Sequence, residues 1–153
     1  MKLKHVSVEK MKYRNDSLAY LFILLGLVAN VVYFIIFYEV NNQFLYTLKI
    51  GISIIYNLLF LLGVFLAAEN IKKYNRKYAF FTLFVGLMQF VRIFAYLQEV
   101  NGADVFTGNK HLTLVILLII SGALLILGSI VSIINSTILK LFVEGKLKLD
   151  SAE

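Results

Sequence analysis

One apolar stretch of this chain carries a permanent positive charge in its interior. Arg92 lies within residues 78–98, a stretch that is long enough to cross a membrane and is largely apolar. An arginine near the centre of such a span costs about 2.5–3.5 kcal/mol on insertion scales, so its side chain needs a polar environment. Gln89, Tyr96 and Glu99 lie at positions that share one helix face with it. We therefore expect this face to point into a bundle of helices.

The chemistry of this face has two interpretations. The first is an outward-facing polar pocket that binds an anion or a polar headgroup through Arg92, with Glu39 and Glu99 as candidate counter-ions. The second is a side chain that snorkels to the outer interface or pairs with Glu39. Arg92 lies about 6 Å from the centre of its span, within reach of the interface for a long side chain, and this favours the second interpretation.

Two further amide side chains lie near the middle of other apolar stretches. Asn30 is in the first stretch, and Asn57 is in the second, beside Ser53 and Tyr56. Buried amides between membrane helices usually hydrogen-bond to each other and fix the packing, with a stabilisation of about 0.6–2 kcal/mol each. A path for a polar substrate is the alternative interpretation, and we include both amides in the hypothetical pocket around Arg92.

Small residues form a ridge on the last apolar stretch, at intervals of four residues: Gly128, Ser132 and Ser136. Gly63 and Ala67 form a shorter ridge on the second stretch. Small side chains at this spacing let a neighbouring helix approach closely. Packing within the chain is the favoured interpretation of this helix-packing interface, and contact with a second copy or with another membrane protein is the alternative.

The composition is typical of an integral membrane protein. Of the 153 residues, 60% are hydrophobic and 16% are charged, whereas soluble domains average about 45–50% and about 25%. So short a chain cannot bury that much apolar surface in a soluble core, and lipid must therefore cover part of it. We predict a single all-α membrane domain, an up-down bundle of four transmembrane helices, with spans at about residues 18–38, 44–68, 78–98 and 112–139 and a tail at 140–153.

Basic residues are concentrated in three segments: five precede the first span, four lie between the second and third, and three follow the fourth. The positive-inside rule therefore places these segments and both termini in the cytoplasm, with the first span as a retained signal anchor. Abundant Lys, Ile, Asn, Phe and Tyr suggest a bacterial source and thus the inner (plasma) membrane. Because the basic residues follow the loops, the net charge of +6 does not indicate nucleic-acid binding.

Residues 15–41 and 75–101 resemble each other when they are aligned without a gap. Nine of the 27 positions are identical, including the Glu-Val-Asn that follows each span. This match suggests two duplicated helical hairpins related by an axis along the membrane normal. The alternative is convergence between apolar helices of low complexity.

No motif for enzyme chemistry accompanies these features. The chain has no cysteine, His5 and His111 fall on opposite sides of the predicted membrane, and no catalytic set, phosphate loop or metal-ligand spacing occurs. We therefore predict no enzyme activity, metal or cofactor. The predicted partners are the lipid bilayer and either another membrane protein or a second copy in a homodimer, without nucleic acid.

Three functions from different classes remain. We favour a small non-enzymatic inner-membrane protein that serves as an accessory or structural subunit of a larger transporter assembly, because of the ridge on the fourth span and the basic cytoplasmic loop. The alternative is a small homo-oligomeric transporter, flippase or channel with a polar pocket around Arg92. A membrane-lytic, holin-like role is the third.

Overall fold

The computed structural model describes residues 15–41, 47–99 and 109–144, and these residues form four α-helices without a strand. Their bounds are α1 Ser17–Asn41, α2 Thr47–Ile71, α3 Arg76–Glu99 and α4 Asn109–Val143. Side chains are described within residues 15–37, 51–94 and 111–144. Each helix is long and apolar enough to cross a membrane. The prediction of an all-α protein with four membrane-spanning helices is therefore confirmed at this level.

α1 begins at a carboxylate that ties it to two other helices. Asp16 Oδ1 accepts a hydrogen bond from the backbone N–H of Ala19 at 3.4 Å, which caps the free N–H groups of the first turn. The same oxygen accepts one from Asn135 Nδ2 at 3.1 Å. The backbone N–H of Asp16 donates to the carbonyl oxygen of Lys72 at 3.0 Å. These bonds hold the beginning of α1 against the end of α2 and the last turns of α4.

A left-handed residue closes the turn between α2 and α3. Tyr74 has a φ of 58°, a left-handed backbone conformation that residues other than glycine adopt at an energetic cost. Its N–H donates to the carbonyl of Ile71 at 2.8 Å, and the N–H of Asn75 donates to that of Asn70 at 3.3 Å. This Schellman arrangement satisfies carbonyls that the end of α2 would otherwise leave unpaired. The connection from α2 to α3 is therefore a tight turn of four residues, 72–75.

α4 packs closely against both α1 and α3. On the α1 side, a Cβ atom added to Gly128 would lie 2.7 Å from Ile23 Cγ1 and 3.0 Å from the carbonyl oxygen of Ala19. On the α3 side, a Cβ atom added to Gly122 would lie 3.2 Å from the carbonyl oxygen of Gly86. The distance to Ile23 is shorter than real Cβ contacts, and the two distances to carbonyl oxygens would require the neighbouring backbone to shift, so glycine is what lets these backbones approach.

α2 packs against α1 and α3 less extensively, and mainly through its second half. Among the side chains of α2 that the structure describes, the buried ones recur at helical spacing and begin near its middle: Asn57, Phe60, Val64, Ala67, Ala68 and Ile71. None of the side chains at 51–56 is buried, and a Cβ atom added to Gly51 would meet nothing within 4 Å. This part of α2 is therefore loosely packed against the rest of the bundle.

The two kinds of glycine predict opposite outcomes of alanine substitution. Gly128→Ala should lower the free energy of unfolding by about 1–3 kcal/mol, because the new methyl group overlaps Ile23 and the backbone of α1. Gly51→Ala, the matched control, should leave stability unchanged or raise it, because its methyl group has open space and alanine favours the helix. Thermal unfolding in detergent measures both, and equal melting temperatures for the two variants would contradict the close α1–α4 contact.

Candidate functional site

Arg92 is held among side chains of α1 and α2. Its guanidinium carbon lies 4.6 Å from the ring centroid of Tyr33 and 5.0 Å from that of Tyr56. Both distances fall within the range at which the negative face of an aromatic ring attracts a cation. Arg92 Nη1 also donates a hydrogen bond to Asn57 Oδ1 at 3.1 Å. The charge therefore sits between two aromatic faces, with an amide oxygen as its acceptor.

The groups that contact Arg92 are themselves held in place. Asn57 Nδ2 donates to the carbonyl oxygen of Ser53, one turn earlier on α2, at 2.8 Å. This bond directs the oxygen of the Asn57 amide towards the guanidinium. Tyr33 is almost fully buried and stacks on Phe37, with ring centroids 5.6 Å apart. Asn57 and Tyr33, two of the three partners of Arg92, are thus held in place by contacts of their own.

A second polar contact lies one helical turn away from Arg92. Gln89 Nε2 donates to Asn30 Oδ1 at 3.4 Å, which joins α3 to α1. Both side chains are fully buried, yet Asn30 Nδ2 and Gln89 Oε1 have no hydrogen-bond partner. Each such unsatisfied group costs about 1–3 kcal/mol when it is removed from water. The pair therefore leaves one donor and one acceptor ready for a further polar group.

No carboxylate neutralises Arg92 within the described side chains. The ion pairs found there join Lys72 to Glu69 and Lys140 to Glu144. Glu39 and Glu99, the predicted counter-ions, have side chains outside the described part of the chain, as does Tyr96. A guanidinium has five N–H donors, and Asn57 accepts from one of them. The described surroundings of Arg92 therefore supply π faces and one acceptor, but no negative charge.

The structure brings four of the predicted pocket residues together in two pairs: Arg92 with Asn57, and Gln89 with Asn30. Tyr33, which the sequence analysis missed, supplies the shorter of the two contacts between Arg92 and an aromatic ring. The available signal was its spacing, because Tyr33 lies three residues after Asn30 and so on the same face of α1. Tyrosine is ordinary in a membrane span, and this spacing alone did not single it out.

The small residues of α4 lie inside the bundle. Gly128 and Ser132 are fully buried and Ser136 nearly so, and Gly128 contacts α1 directly. On α2, Ala67 is fully buried. A Cβ atom added to Gly63 would lie 3.6 Å from the ring of Phe81 on α3, an ordinary contact distance. Gly128 and Gly63 thus face other helices of the same chain.

Neither a relative nor a metal centre gives this site a ready assignment. Comparison of the chain with models of protein families, with curated proteins and with solved structures finds no match. Within residues 15–41, 47–99 and 109–144, no group of three or more His, Cys, Asp or Glu is placed to hold a metal ion. The chemistry at the site is therefore that of a cation, two aromatic rings and three amide side chains.

A double-mutant cycle tests whether the hydrogen bond from Arg92 to Asn57 stabilises the folded protein. Asn57→Leu should lower the free energy of unfolding, because it removes the acceptor of a charged donor, a bond worth about 1.5–3 kcal/mol. In an Arg92→Met background the same change should cost at least about 1.5 kcal/mol less, the lower end of that range, because the charged donor is gone. Unfolding in mixed detergent micelles measures all four proteins.

Two variants of Tyr56 serve as controls for the same cycle. Tyr56→Phe should leave stability nearly unchanged, since the aromatic face that contacts Arg92 is kept. Tyr56→Leu should lower the free energy of unfolding by about 0.5–2 kcal/mol, because it removes that aromatic face. If Asn57→Leu costs the same with and without Arg92, the two residues do not stabilise each other.

Proposed function

We propose that this protein is a small non-enzymatic transporter, flippase or channel that binds an anionic group at Arg92 within the membrane. The ligand is either a free anion or the anionic headgroup of a lipid. The observation that carries the proposal is a guanidinium held between two rings and one amide, with no carboxylate partner in the described part of the chain.

Electrostatics favour an anion at this position. A buried charge is costly unless it is paired, and arginine does not release its proton to avoid that cost. A guanidinium that lies against aromatic faces keeps the N–H groups of its own plane available to acceptors. An anion would accept charge-assisted hydrogen bonds from these groups, which are about twice as strong as neutral ones. Binding would thereby offset the cost of placing Arg92 within the span.

The loose part of α2 supplies a route to Arg92. Asn57 is the first buried residue among the side chains of α2 that the structure describes, and those before it, at 51–56, are at least partly exposed. Tyr56, which contacts Arg92, is 41% exposed. Arg92 itself is half-buried. A ligand can therefore approach from the side of the bundle that the first half of α2 leaves open.

We further propose an up-down bundle with both termini in the cytoplasm of an inner (plasma) membrane. What supports this topology is that Asp16, before α1, bonds to Lys72 at the end of α2 and to Asn135 near the end of α4. The exposed cations of the α2–α3 turn lie at the same end, as the positive-inside rule expects. The Arg92 site then opens towards the outer face.

A duplication of helical hairpins gains one supporting observation. Gly26 of α1 and Gly86 of α3 are equivalent in the proposed repeat, and both face Leu125 of α4. A Cβ atom would lie 3.1 Å from Leu125 Cγ at Gly26 and 3.2 Å from Leu125 Cβ at Gly86. Two equivalent glycines on opposite sides of one leucine are what a pseudo-twofold relation between α1 and α3 would produce.

Lipid selectivity tests the anion site directly. We expect protein purified in detergent and mixed with phosphatidylglycerol and phosphatidylcholine to retain phosphatidylglycerol preferentially in native mass spectrometry. Arg92→Gln should lose that preference while its melting temperature stays the same or rises, because it removes a charge that no carboxylate among the described side chains pairs. If inorganic phosphate displaces the lipid from the wild type, the site also accepts a free anion.

Arg76→Gln is the matched control, because Arg76 lies on the same helix and also contacts an aromatic ring, that of Phe80 at 5.3 Å. This variant should retain phosphatidylglycerol as the wild type does. The proposed anion site would be contradicted by equal retention of both lipids in the wild type, or by unchanged lipid selectivity in Arg92→Gln.

A second candidate function, an accessory subunit of a larger transporter assembly, is supported by a cluster of cations. Lys73, Arg76 and Lys77 are exposed at the α2–α3 turn, where they could contact acidic groups of a partner protein. The ridge on α4 no longer argues for a partner at Gly128, because this residue packs against α1. We therefore rank this function second.

Charge reversal tests the subunit role. A triple variant with Lys73→Glu, Arg76→Glu and Lys77→Glu should lose a membrane protein that copurifies stoichiometrically with the wild type in mild detergent. Lys140→Glu, which changes an exposed cation on α4, should keep it. A wild type that purifies alone from its native membrane contradicts this candidate and leaves the anion site untouched.

A further inference from the structure

Asp16 is a buried carboxylate with an unsatisfied oxygen. The residue is only 3% exposed, although it lies just before the first membrane span. Its Oδ1 accepts hydrogen bonds from Ala19 N–H and Asn135 Nδ2, whereas Oδ2 is buried without a hydrogen-bond partner. An ionised carboxylate in this state is expensive, because neither water nor a donor solvates the free oxygen.

A second unsatisfied oxygen lies on the facing helix. Ser132 Oγ of α4 is fully buried and has no partner, whereas Ser129, Ser136 and Thr137 each donate to a carbonyl of their own helix. Ser132 lies one turn after Gly128, which contacts Ala19, and three residues before Asn135, which contacts Asp16. Ser132 therefore lies between these two contacts in the α1–α4 packing, but it makes no hydrogen bond to either oxygen of Asp16.

No cation neutralises Asp16 in the part of the chain that the structure describes. Charged groups packed near the beginning of α1 come from the end of α2 and the turn after it, where Lys72 and Glu69 lie 3.9 Å apart. Lys72 Nζ also lies 4.9 Å from the ring of Tyr20, and the Tyr20 hydroxyl donates to Glu69 at 2.8 Å. Lys72 thus touches Asp16 through its backbone carbonyl, while its ammonium group is engaged elsewhere. α4 contributes the neutral Asn135 and Ser132.

We propose that Asp16 is a proton-binding site, in which a proton on Oδ2 neutralises the buried carboxylate at the beginning of α1. A proton needs no cavity and only one ligand atom, whereas a sodium ion would need several oxygen ligands around the same point. Protonation turns Oδ2 into a donor and leaves Oδ1 free to keep its bonds to Ala19 and Asn135. The bound proton therefore stabilises the junction of α1, α2 and α4.

The sign of the pH dependence follows from the burial. Burial raises the pKa of Asp16 above its ordinary value, more than the hydrogen bonds from Asn135 and Ala19 lower it. The stabilisation is then fully present below the pKa of an unfolded aspartate, about 3.9. It is lost as the pH rises through the higher folded value, because the folded state must then bury a charge. Stability should fall with rising pH across this window.

This site is independent of the one at Arg92. Asp16 and Tyr33 lie 17 positions apart along the same helical axis, a separation of about 25 Å. Failure of anion binding at Arg92 therefore leaves the proton site standing, and the reverse also holds.

Melting temperatures between pH 4 and pH 8 test the proposal in detergent-solubilised full-length protein. The wild type should lose several degrees more than Asp16→Asn over this range, because asparagine mimics the protonated form at every pH. At pH 8 the variant should be the more stable of the two. In infrared difference spectra between the wild type and Asp16→Asn, the carbonyl band of the protonated Asp16 carboxyl group should be present at low pH and should disappear as the pH rises.

Glu144→Gln is the matched control, since Glu144 is an exposed carboxylate near the end of α4. Its melting curve should keep the pH dependence of the wild type. Two results overturn the proposal. One is the same pH dependence in the wild type and Asp16→Asn. The other is a melting temperature at pH 8 that sodium chloride, but not choline chloride, raises in the wild type and not in the variant, because the carboxylate would then hold a sodium ion.

Discussion

A charge that cannot be removed by losing a proton constrains the whole bundle. Arginine stays protonated at any pH that a protein experiences, so the structure has to accommodate Arg92 through its surroundings. Tyr33 of α1 offers an aromatic face, and Tyr56 and Asn57 of α2 offer a second face and an amide oxygen. One guanidinium thereby joins three helices at a single level of the membrane.

The two sides of the α1–α3 pair are held by different forces. On one side α4 fits against both helices through glycines, and the contact depends on close van der Waals approach. On the other side α2 contributes the polar contact with Arg92 and a buried stripe in its second half. Lipid is as apolar as a leucine side chain, so apolar burial drives helix association weakly in a membrane. Shape complementarity therefore dominates at α4, and polar contacts matter more at α2.

Local sequence patterns were enough to predict the four helices, because span length and hydropathy are properties of each segment alone. Arg92, Gln89, Asn30 and Asn57 could be singled out because polar side chains are rare within apolar spans. Their pairing was not predictable, since it depends on how α1 and α2 slide and rotate against α3, and no local pattern encodes that register.

Asp16 shows where sequence reasoning fails most clearly. A carboxylate just before an apolar helix is expected to be an exposed cap. Its burial depends on packing against another helix, because Asn135 of α4 donates a hydrogen bond to its carboxylate. Only the tertiary arrangement contains this information.

The tight turn at Tyr74 gives α2 the mechanics of a lever. The Schellman bonds tie the helix at that end, so the turn would be the fulcrum of any tilt of α2. Gly51 lies about 30 Å along the axis from this point. A tilt of only about 10° would displace the far end of α2 by about 5 Å, roughly the width of a phosphate group, by simple trigonometry on that length. Because Asn57 and Tyr56 lie on the moving arm, the same tilt would withdraw two of the contacts of Arg92 at once.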